Sequence, residues 1–499
     1  MGAFFLYKND IDFDLKSVDD IFTRKEFSKP KYFNLGEYKL WLYKKQLIDE
    51  QNYYYDKNRN SGIFSVGTLV YKSGSYSESL KKLFNDFNKS AIDYDELIGS
   101  YAVLFYSNNK PVFLIDPLNI QNIFYTKDQQ LISNSFLALM CCGNYDLNKI
   151  ACLENLTSGC ITGDDTMVHG IRRYHHLYYE NDQTRIPFLK NKTNVKQPIF
   201  SSNGFHASVS EQVELLRTHF SKLAGFIQEH GVDIGLSGGF DSRLLLALLN
   251  EIDAPVSVHT HWKKFITPEE KIAKLICQKK QLALKHYQIT ETADMSSNQL
   301  ESNLEESCLF YDGHARVNFD WLPNYRTKWY RQTLLGDFTL GMNGIAGEQY
   351  RNYDNTLYDR QNFREWLKFR HIGYNNIFAL DKDGLNYLTD YLSGKISHLL
   401  GINPEQKISK LHTKRYHAEI WVPSGPGIRN NAENQISYFM SPFTERYLLQ
   451  RSYQIVPYLG IDGKFEAAMI NSLDRELAGI PSSYGIDFQR IPAGYTTRT

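Results

Sequence analysis

The hydrophobic and polar residues follow two different patterns, and the change comes near residues 195 to 210. Before this region, short β-branched and aromatic runs are separated by Asn, Asp, Gly and Lys, as in SGIFSVGTLVY, SYAVLFY, KPVFLIDP, NIFYTK and QLISNS. Runs of this kind predict a largely antiparallel β-structure. One segment, YSESLKKLFNDFNKS, has instead the apolar spacing of a helix. The stretch SSNGFHAS has the composition of a linker, so the pattern indicates two domains.

After the linker, the apolar residues recur with helical spacing. They form one face of a helix that is predicted to end at Gly231. The residues of this face are Val213, Leu216, Phe220, Leu223 and Ile227.

Three predicted strands then alternate with helices. The strands are VDIGL, PVSVHTH and KHYQIT. The second intervening helix has a clear start, with Thr267 as N-cap, Pro268 at the first position and Glu270 three residues after the cap. Strands that alternate with helices predict a parallel sheet with helices on its faces. Beyond residue 300 the pattern is mainly helical.

Composition and charge narrow the class of protein. At 499 residues the chain is too long for one ordinary core, and its 56 basic and 56 acidic residues cancel. This balance predicts no binding to nucleic acid or to an anionic membrane. No apolar run approaches the roughly 18 to 20 residues of a spanning helix, and MGAFFLYKND lacks the basic start of a signal peptide. The six cysteines lack metal-ligand spacing, so we expect a cytoplasmic protein with reduced thiols.

The stretch LSGGFDS lies between a predicted strand and a predicted helix. Gly238 and Gly239 let the main chain approach an anion, and Ser237 and Ser242 add hydroxyl donors. Asp241 is unexpected there, because a carboxylate repels phosphate unless a cation lies between them. The pattern therefore predicts a polyphosphate site in which Mg²⁺ bridges Asp241 and the phosphates. The alternative is a tight strand-to-helix turn without a ligand, and the Walker pattern is absent.

The segment LSGGFDSRLLLALL resembles the PP-loop of ATP pyrophosphatases, and more narrowly that of the asparagine synthetase family. Other segments of the chain are also similar to that family and occur in the same order as in its members. They are GSYAVLFY, TSGCITGDDTMVHGIRRY, NGIAGEQYRNY, SPFTERYLLQRSYQIVP and GKFEAAMINSLDRELAGIP. The resemblance implies an α+β domain over residues 1–200, an Ntn-hydrolase-like β-sandwich with flanking helices similar to a glutamine amidotransferase. It implies an α/β domain over residues 205–499, a PP-loop domain of the adenine nucleotide α-hydrolase type with a helical C-terminal extension.

The first residues depart from the family pattern. Family members that hydrolyse glutamine begin Met-Cys-Gly, and the exposed cysteine is the nucleophile. Here Met1 is followed by Gly2. We therefore expect no glutamine hydrolysis, and glutamine-derived ammonia would have to come from another protein.

The resemblance assigns the remaining ligands of the nucleotide. The family's metal-binding aspartate falls on Glu348, which is implied as a second Mg²⁺ ligand, and a solvated loop glutamate is the alternative. The adenine is expected near Leu236, Val258 and the turn of Asn343 and Gly344, at the carboxyl ends of the strands.

The general base is a further departure, after Gly2 and after Glu348 in place of the family's aspartate. Ile345 falls where asparagine synthetases carry a catalytic Glu and β-lactam-forming relatives carry a Tyr. Isoleucine accepts no proton, so another residue is the base, or the acceptor arrives deprotonated, or the step is lost. The resemblance places Tyr311, Asp312 and His314 beside the acceptor site, and packing or substrate contact is the alternative role for each.

The C-terminal segment also departs from the family pattern. Relatives use a basic loop to neutralise the departing pyrophosphate. In PSSYGIDFQRIPAGYTTRT, Arg490 is the one basic residue before Arg498, so it either closes over the phosphates or is an exposed tail residue. Lys464 falls on a helix position instead.

The resemblance implies an ATP-dependent ligase. It would adenylate a carboxylate of a small molecule or a peptide, release pyrophosphate, and transfer the acyl group to ammonia or an amine, with ATP and Mg²⁺ as cofactors. Many members of the family are homodimers. Two alternatives stay open: a peptide macrocyclase similar to the lasso-peptide cyclases, and a nucleotide-binding scaffold or regulatory protein without turnover.

Overall fold

The structure is a computed structural model that describes residues 2–175, 186–189, 199–262, 266–288, 295–314, 326–333, 335–352, 361–373, 380–460 and 463–490. The chain is a mixed α/β protein with antiparallel sheets before residue 175 and a parallel sheet after residue 231. The strands are β1 (Ala3–Lys8), β2 (Lys31–Leu35), β3 (Tyr38–Tyr43), β4 (Tyr53–Asp56), β5 (Ser61–Tyr71), β6 (Leu97–Ser107), β7 (Lys110–Ile115), β8 (Phe124–Thr126), β9 (Leu131–Ser133), β10 (Ile171–Arg173), β11 (Val232–Gly235), β12 (Val256–Trp262), β13 (Leu284–Gln288), β14 (Leu340–Met342), β15 (Gln361–Asn362), β16 (Lys407–Ile408) and β17 (Tyr438–Met440).

The α-helices are α1 (Leu15–Arg24), α2 (Tyr76–Asn88), α3 (Phe136–Met140), α4 (Lys149–Ser158), α5 (Phe205–His230), α6 (Phe240–Glu251), α7 (Pro268–Lys280), α8 (Ser297–Phe310), α9 (Arg326–Thr333), α10 (Phe363–Leu367), α11 (Lys382–Leu400), α12 (Lys410–Arg415), α13 (Val422–Ser424), α14 (Pro426–Ile436), α15 (Arg446–Gln454), α16 (Lys464–Leu473) and α17 (Arg475–Ala478). The helices predicted before Gly231 and after Thr267 are confirmed, and the Thr267 hydroxyl accepts from the Glu270 N–H at 3.2 Å. In the described part of the chain, no helix has the length and apolar character that crossing a bilayer requires.

Two antiparallel sheets form in the first half of the chain, and their strands include all five of the predicted short segments. One sheet has the order β10-β8-β9-β1-β3-β2 and the other β4-β5-β6-β7. They face each other through an aromatic cluster, in which the rings of Phe4 and Phe113 lie 5.7 Å apart and those of Phe33 and Phe64 4.7 Å apart. When two sheets stack face to face, the apolar side chains that alternate along their strands are buried between them.

The long strand β6 is buried on both faces, because successive side chains point to opposite sides of the sheet and both sides are covered. Ala102 and Leu104 belong to the cluster between the two sheets. Val103 and Phe105 point the other way, into a larger cluster that also contains Leu216 of α5. The four-stranded sheet therefore lies between the six-stranded sheet and the second half of the chain.

The second half contains a parallel sheet with the order β13-β12-β11-β14-β17. The three predicted strands are confirmed as β11, β12 and β13. Alternate residues such as Ile234, Val258 and Met342 are buried in the large core cluster, which includes residues of α5 and α6. Strands β14 and β17 were not predicted, because three residues are too few to show a period. Every strand of this sheet points its carboxyl end to the same edge.

Two buried carboxyl groups lie where the antiparallel sheet meets the second half. Glu445 accepts from the Gly99 N–H at 2.8 Å, and Asp116 accepts from the N–H groups of Ile120 and Gln121 at 2.8 and 2.7 Å. Burial raises the pKa of Glu445 to about 8. Burial also raises the pKa of Asp116 to about 7, against the lowering effect of its backbone hydrogen bonds.

Replacing Glu445 by glutamine is expected to flatten the pH dependence of stability. The raised pKa means that folded Glu445 keeps a proton that the unfolded chain loses near pH 4 to 5, so its contribution falls as the pH rises toward 8. The slope is at most about 1.4 kcal/mol of unfolding free energy per pH unit. Urea denaturation at several pH values measures it, with exposed Glu37→Gln as the control. Equal slopes for the wild type and Glu445→Gln between pH 5 and pH 8 would contradict this expectation.

Candidate functional site

The turn between β11 and α6 has the conformation that its glycines predict. Gly238 has a φ of +73°, and a Cβ there would lie 2.5 Å from the Cγ2 of Ile272. Gly239 has more room, since a Cβ at that position would come no closer than 3.4 Å, to the Ser237 hydroxyl. That hydroxyl lies 3.2 Å from the Ser242 hydroxyl. The turn thus presents glycine main chain and two hydroxyls at the start of a twelve-residue helix.

The segment after β14 packs directly against Asp241. A Cβ at Gly344 would lie 2.9 Å from the Asp241 Cβ, and a Cβ at Gly347 would lie 2.6 Å from the Asp241 Oδ1. Both positions therefore need glycine for close approach. The two segments predicted to bind phosphate and metal come together at the carboxyl ends of neighbouring strands.

Two further charged residues, which were not predicted, complete this cluster. Arg351 donates to Oδ1 of Asp241 at 2.7 Å and to Oδ2 at 2.9 Å, and it also donates to Glu466 of α16 at 2.6 Å. Arg351 and Glu466 are buried. The sequence does contain a signal for Glu466, because an acidic residue on the apolar face of the helix KFEAAMINSL needs a partner of opposite charge. The sequence does not show which residue that partner is.

Burial and repulsion among the carboxyl groups of the cluster shift the pKa values of Glu348 and Glu466. Burial, and next the charge of Asp241, raise the pKa of Glu348 to about 7, and the same two causes raise the pKa of Glu466 well above its ordinary value. Burial lowers the pKa of Arg351, but Asp241 and Glu466 outweigh burial and raise it, so Arg351 is a permanent cation. The Oε2 of Glu348 and the Oε1 of Glu466 are buried without a hydrogen-bond partner. Three carboxyl groups thus share one arginine.

The oxygen donors suit Mg²⁺ only together with other ligands. In the described residues, no group of three or more His, Cys, Asp or Glu side chains is arranged to hold a metal ion. Mg²⁺ usually takes one or two carboxylates and completes its shell with water and substrate phosphates. Asp241 and Glu348 fit that kind of site, since Glu348 has an unpaired buried oxygen and Asp241 lies in the glycine-containing turn after β11, where α6 begins.

The residues predicted to contact adenine differ in how far their side chains are exposed. The side chains of Leu236 and Val258 are buried in the core and present no surface to a ligand. Asn343 is half-buried and accepts from Ser441 Oγ at 2.5 Å and from the Ile345 N–H at 3.3 Å. Ile345 packs against the large core cluster.

The C-terminal segment is anchored to α6 beside the Ser237–Ser242 turn. Arg243 is fully buried and donates to the carbonyls of Leu477 and Ile480 at 3.3 and 2.6 Å and to that of Pro481. The rings of Phe240 and Phe488 stack with centroids 4.2 Å apart. Residues 477 to 488 therefore pack against the helix that begins at this turn.

Arg490 is exposed at the end of this segment. Its N–H donates to Asp487 at 3.0 Å. Its predicted role over the phosphates stays a prediction. Lys464 begins α16, as its helical assignment predicted.

The three candidate bases lie against the first half of the chain, where they line a small pocket with Lys25 and Ser135. Asp312 pairs with Lys25 and accepts from Ser135 Oγ at 2.6 Å. Burial raises the pKa of Asp312, but Lys25 outweighs it and the net direction is down. Burial also lowers the pKa of His314, which favours the neutral imidazole. The Asp312 carboxylate is thus engaged in a structural pair.

Position 2 has no space for a side chain. A Cβ at Gly2 would lie 2.4 Å from the carbonyl oxygen of Lys44 and 2.5 Å from that of Tyr43. A cysteine at this position would require the backbone to shift.

Comparisons with known proteins give weak likenesses. No family model and no curated protein matches the chain. The NMN synthetase from Francisella tularensis is 16% identical over 37% of this chain and 86% of its own, with a TM-score of 0.19. The NH3-dependent NAD synthetase from Campylobacter jejuni subsp. jejuni is 15% identical over 39% and 96%, with a TM-score of 0.19. The glutamine-dependent NAD+ synthetase from Acinetobacter baumannii, solved with ADP, is 12% identical over 59% and 68%, with a TM-score of 0.21. These values do not place the chain in a family.

Proposed function

We propose that the chain is an ATP-dependent ligase that adenylates a carboxylate and transfers the acyl group to ammonia or an amine, without hydrolysing glutamine. The observation that carries the proposal is the packing of the Ser237–Ser242 turn, through Asp241, against the segment that leads to Glu348, at the carboxyl ends of β11 and β14. Ligands of open parallel sheets bind at that edge. A turn that merely joins a strand to a helix has no need of the carboxyl cluster beside it.

The reaction needs little covalent chemistry from the protein. The substrate carboxylate oxygen forms a bond to the α-phosphorus of ATP, and the bond to the bridging oxygen breaks as pyrophosphate leaves. The amine then attacks the acyl carbon, loses a proton, and AMP leaves. The main-chain N–H groups of the turn and the first turn of α6 would hold the phosphates, with Ser237 and Ser242 as further donors. Asp241 and Glu348 would hold Mg²⁺, which neutralises charge on the leaving pyrophosphate.

The remaining assignments follow from the same proposal. Because the side chains of Leu236 and Val258 are buried, adenine would contact the main chain at these strand ends and at Asn343 and Gly344. Arg490 would approach the phosphates from the anchored C-terminal segment. Residues 1–200 would be an amidotransferase-like domain of the Ntn-hydrolase type without glutaminase activity, and 205–499 a PP-loop synthetase domain similar to asparagine synthetase.

One observation favours a second candidate, a nucleotide-binding protein without turnover. Arg351 already holds both oxygens of Asp241. If that pair persisted with nucleotide bound, Asp241 would not assist pyrophosphate release.

Exchange of labelled pyrophosphate into ATP separates the two candidates. The wild-type protein is expected to catalyse exchange that depends on the carboxylate, tested with pools of amino acids, hydroxy acids and short peptides, because adenylation is reversible. Calorimetry with ATP and Mg²⁺ is the companion measurement. Binding without exchange in any pool would favour the non-catalytic candidate, and absence of binding at millimolar ATP would contradict both.

A further inference from the structure

We propose that Arg351 is a built-in cation that holds Asp241 until nucleotide arrives, so that metal binding at Asp241 depends on nucleotide. This deepens the proposed function, and its link to nucleotide rests on that function. The competition between Arg351 and a metal ion for Asp241 rests only on the contacts among the charged side chains around Asp241.

The geometry of the pair is that of a strong, specific contact. The guanidinium of Arg351 meets both carboxylate oxygens of Asp241, at 2.7 and 2.9 Å. Planar bidentate pairs of this kind are stronger and more directional than a single bond from lysine. The side chain of Arg351 is 5% exposed and that of Asp241 is 23% exposed, so water weakens the pair little.

Three neighbours fix the arginine where it is. Glu466, whose side chain is 0% exposed, accepts from the same guanidinium at 2.6 Å. The ring of Phe240 lies 5.2 Å from the guanidinium carbon. Lys414 donates to the main-chain oxygen of Arg351 at 3.1 Å. The arginine therefore stays beside Asp241 without any ligand.

A divalent ion and this arginine need the same oxygens. An ion bound by Asp241 would lie close to the guanidinium, and two cations at that distance repel each other strongly where water is scarce. Nucleotide changes the balance, because its phosphates bring further oxygen ligands and several negative charges to the turn. Glu466 can keep the guanidinium when the ion takes Asp241. The binding of free metal is thus weakened, and the binding of metal together with nucleotide is favoured.

The test measures Mn²⁺ binding by electron paramagnetic resonance, with no nucleotide present. Arg351→Gln is expected to bind Mn²⁺ about tenfold more tightly than the wild type, since it frees Asp241 and removes a neighbouring positive charge. Addition of a non-hydrolysable ATP analogue should bring the two proteins to within about threefold of each other. The matched control is Arg217→Gln, because Arg217 makes a similar pair with Glu251 on the surface, at 2.8 and 3.0 Å. That control should bind Mn²⁺ as the wild type does.

Two further variants guard against loss of the fold. Arg351→Lys keeps the charge but not the two-point contact, and it should bind Mn²⁺ about threefold more tightly than the wild type. The double variant Arg351→Gln with Glu466→Gln removes one charge of each sign, and its circular dichroism reports folding. Equal Mn²⁺ affinity of the wild type and all folded Arg351 variants without nucleotide overturns the proposal. Failure of the analogue to bind any variant overturns the proposed function, and the Mn²⁺ difference then still decides the role of Arg351.

Discussion

Asp241→Asn is expected to lower carboxylate-dependent pyrophosphate exchange about a thousandfold, the equivalent of about 4 kcal/mol of transition-state stabilisation. Asparagine keeps the shape of the side chain but has one neutral oxygen instead of two charged ones. The leaving pyrophosphate then lacks a cation held in place beside the turn. Steady-state exchange with saturating carboxylate measures the effect, and the exposed Asp383→Asn is the matched control.

The same variant is expected to fold about as well as the wild type. Asp241 is one of three carboxyl groups around one guanidinium, and Arg351 keeps Glu466 as a partner when Asp241 loses its charge. Loss of the Asp241 charge removes the pair with Arg351, but it also removes the repulsion of Glu348 and Glu466 by that charge. Because these two effects offset each other, we expect the free energy of unfolding to stay within about 1 kcal/mol of the wild-type value. Thermal unfolding above pH 7 tests this. A variant that loses exchange because it unfolds would contradict the assignment of Asp241 to function.

Gly238→Ala is expected to reduce stability by about 2–4 kcal/mol and to abolish detectable nucleotide binding. Residue 238 has a left-handed φ of +73°, which costs any residue with a Cβ, and the added carbon would lie 2.5 Å from Ile272 of α7. The turn can relieve this contact only by moving away from α7, which misplaces its N–H groups. Urea denaturation and calorimetry with ATP and Mg²⁺ measure the two effects.

Gly239→Ala provides the matched comparison one residue later. Its φ of −82° suits alanine, and the nearest atom to the new carbon would be 3.4 Å away. We expect stability within about 1 kcal/mol of the wild type but at least tenfold weaker nucleotide binding, because the methyl group occupies space beside the phosphates. Equal nucleotide affinity of Gly239→Ala and the wild type would contradict the placement of phosphate at this turn.

The sequence predicted local structure well because local structure depends on neighbouring residues. The apolar run before Ser237, the glycines after it and the cap at Thr267 each act over a few residues, and each was placed correctly. Strands β14 and β17 escaped prediction because their three residues pair with distant strands, and only the fold brings these together.

The candidate site shows the same difference between features set by neighbouring residues and features set by distant ones. The pattern and the resemblance predicted Asp241 and Glu348 as metal ligands, which stays a prediction. The sequence could not show that Arg351 pairs with Asp241 or that Glu466 is the second partner of Arg351. Such pairs depend on how α16 packs against α6, over more than two hundred residues of chain. The burial of Val258 also depends on distant parts of the chain. Its strand β12 lies between β13 and β11, and this strand order is not visible in the sequence.

The anchoring of Arg243 by the carbonyls of Leu477, Ile480 and Pro481 has a consequence for biosynthesis. The two large antiparallel sheets contain only residues before 175 and can fold while the chain is still emerging from the ribosome. Helix α6 emerges long before residues 477 to 490, and until they arrive its buried guanidinium has none of these acceptors. A nascent chain stalled after α16 would therefore display a phosphate turn on an unfinished helix, and competence to bind nucleotide should be among the last properties that the growing polypeptide acquires.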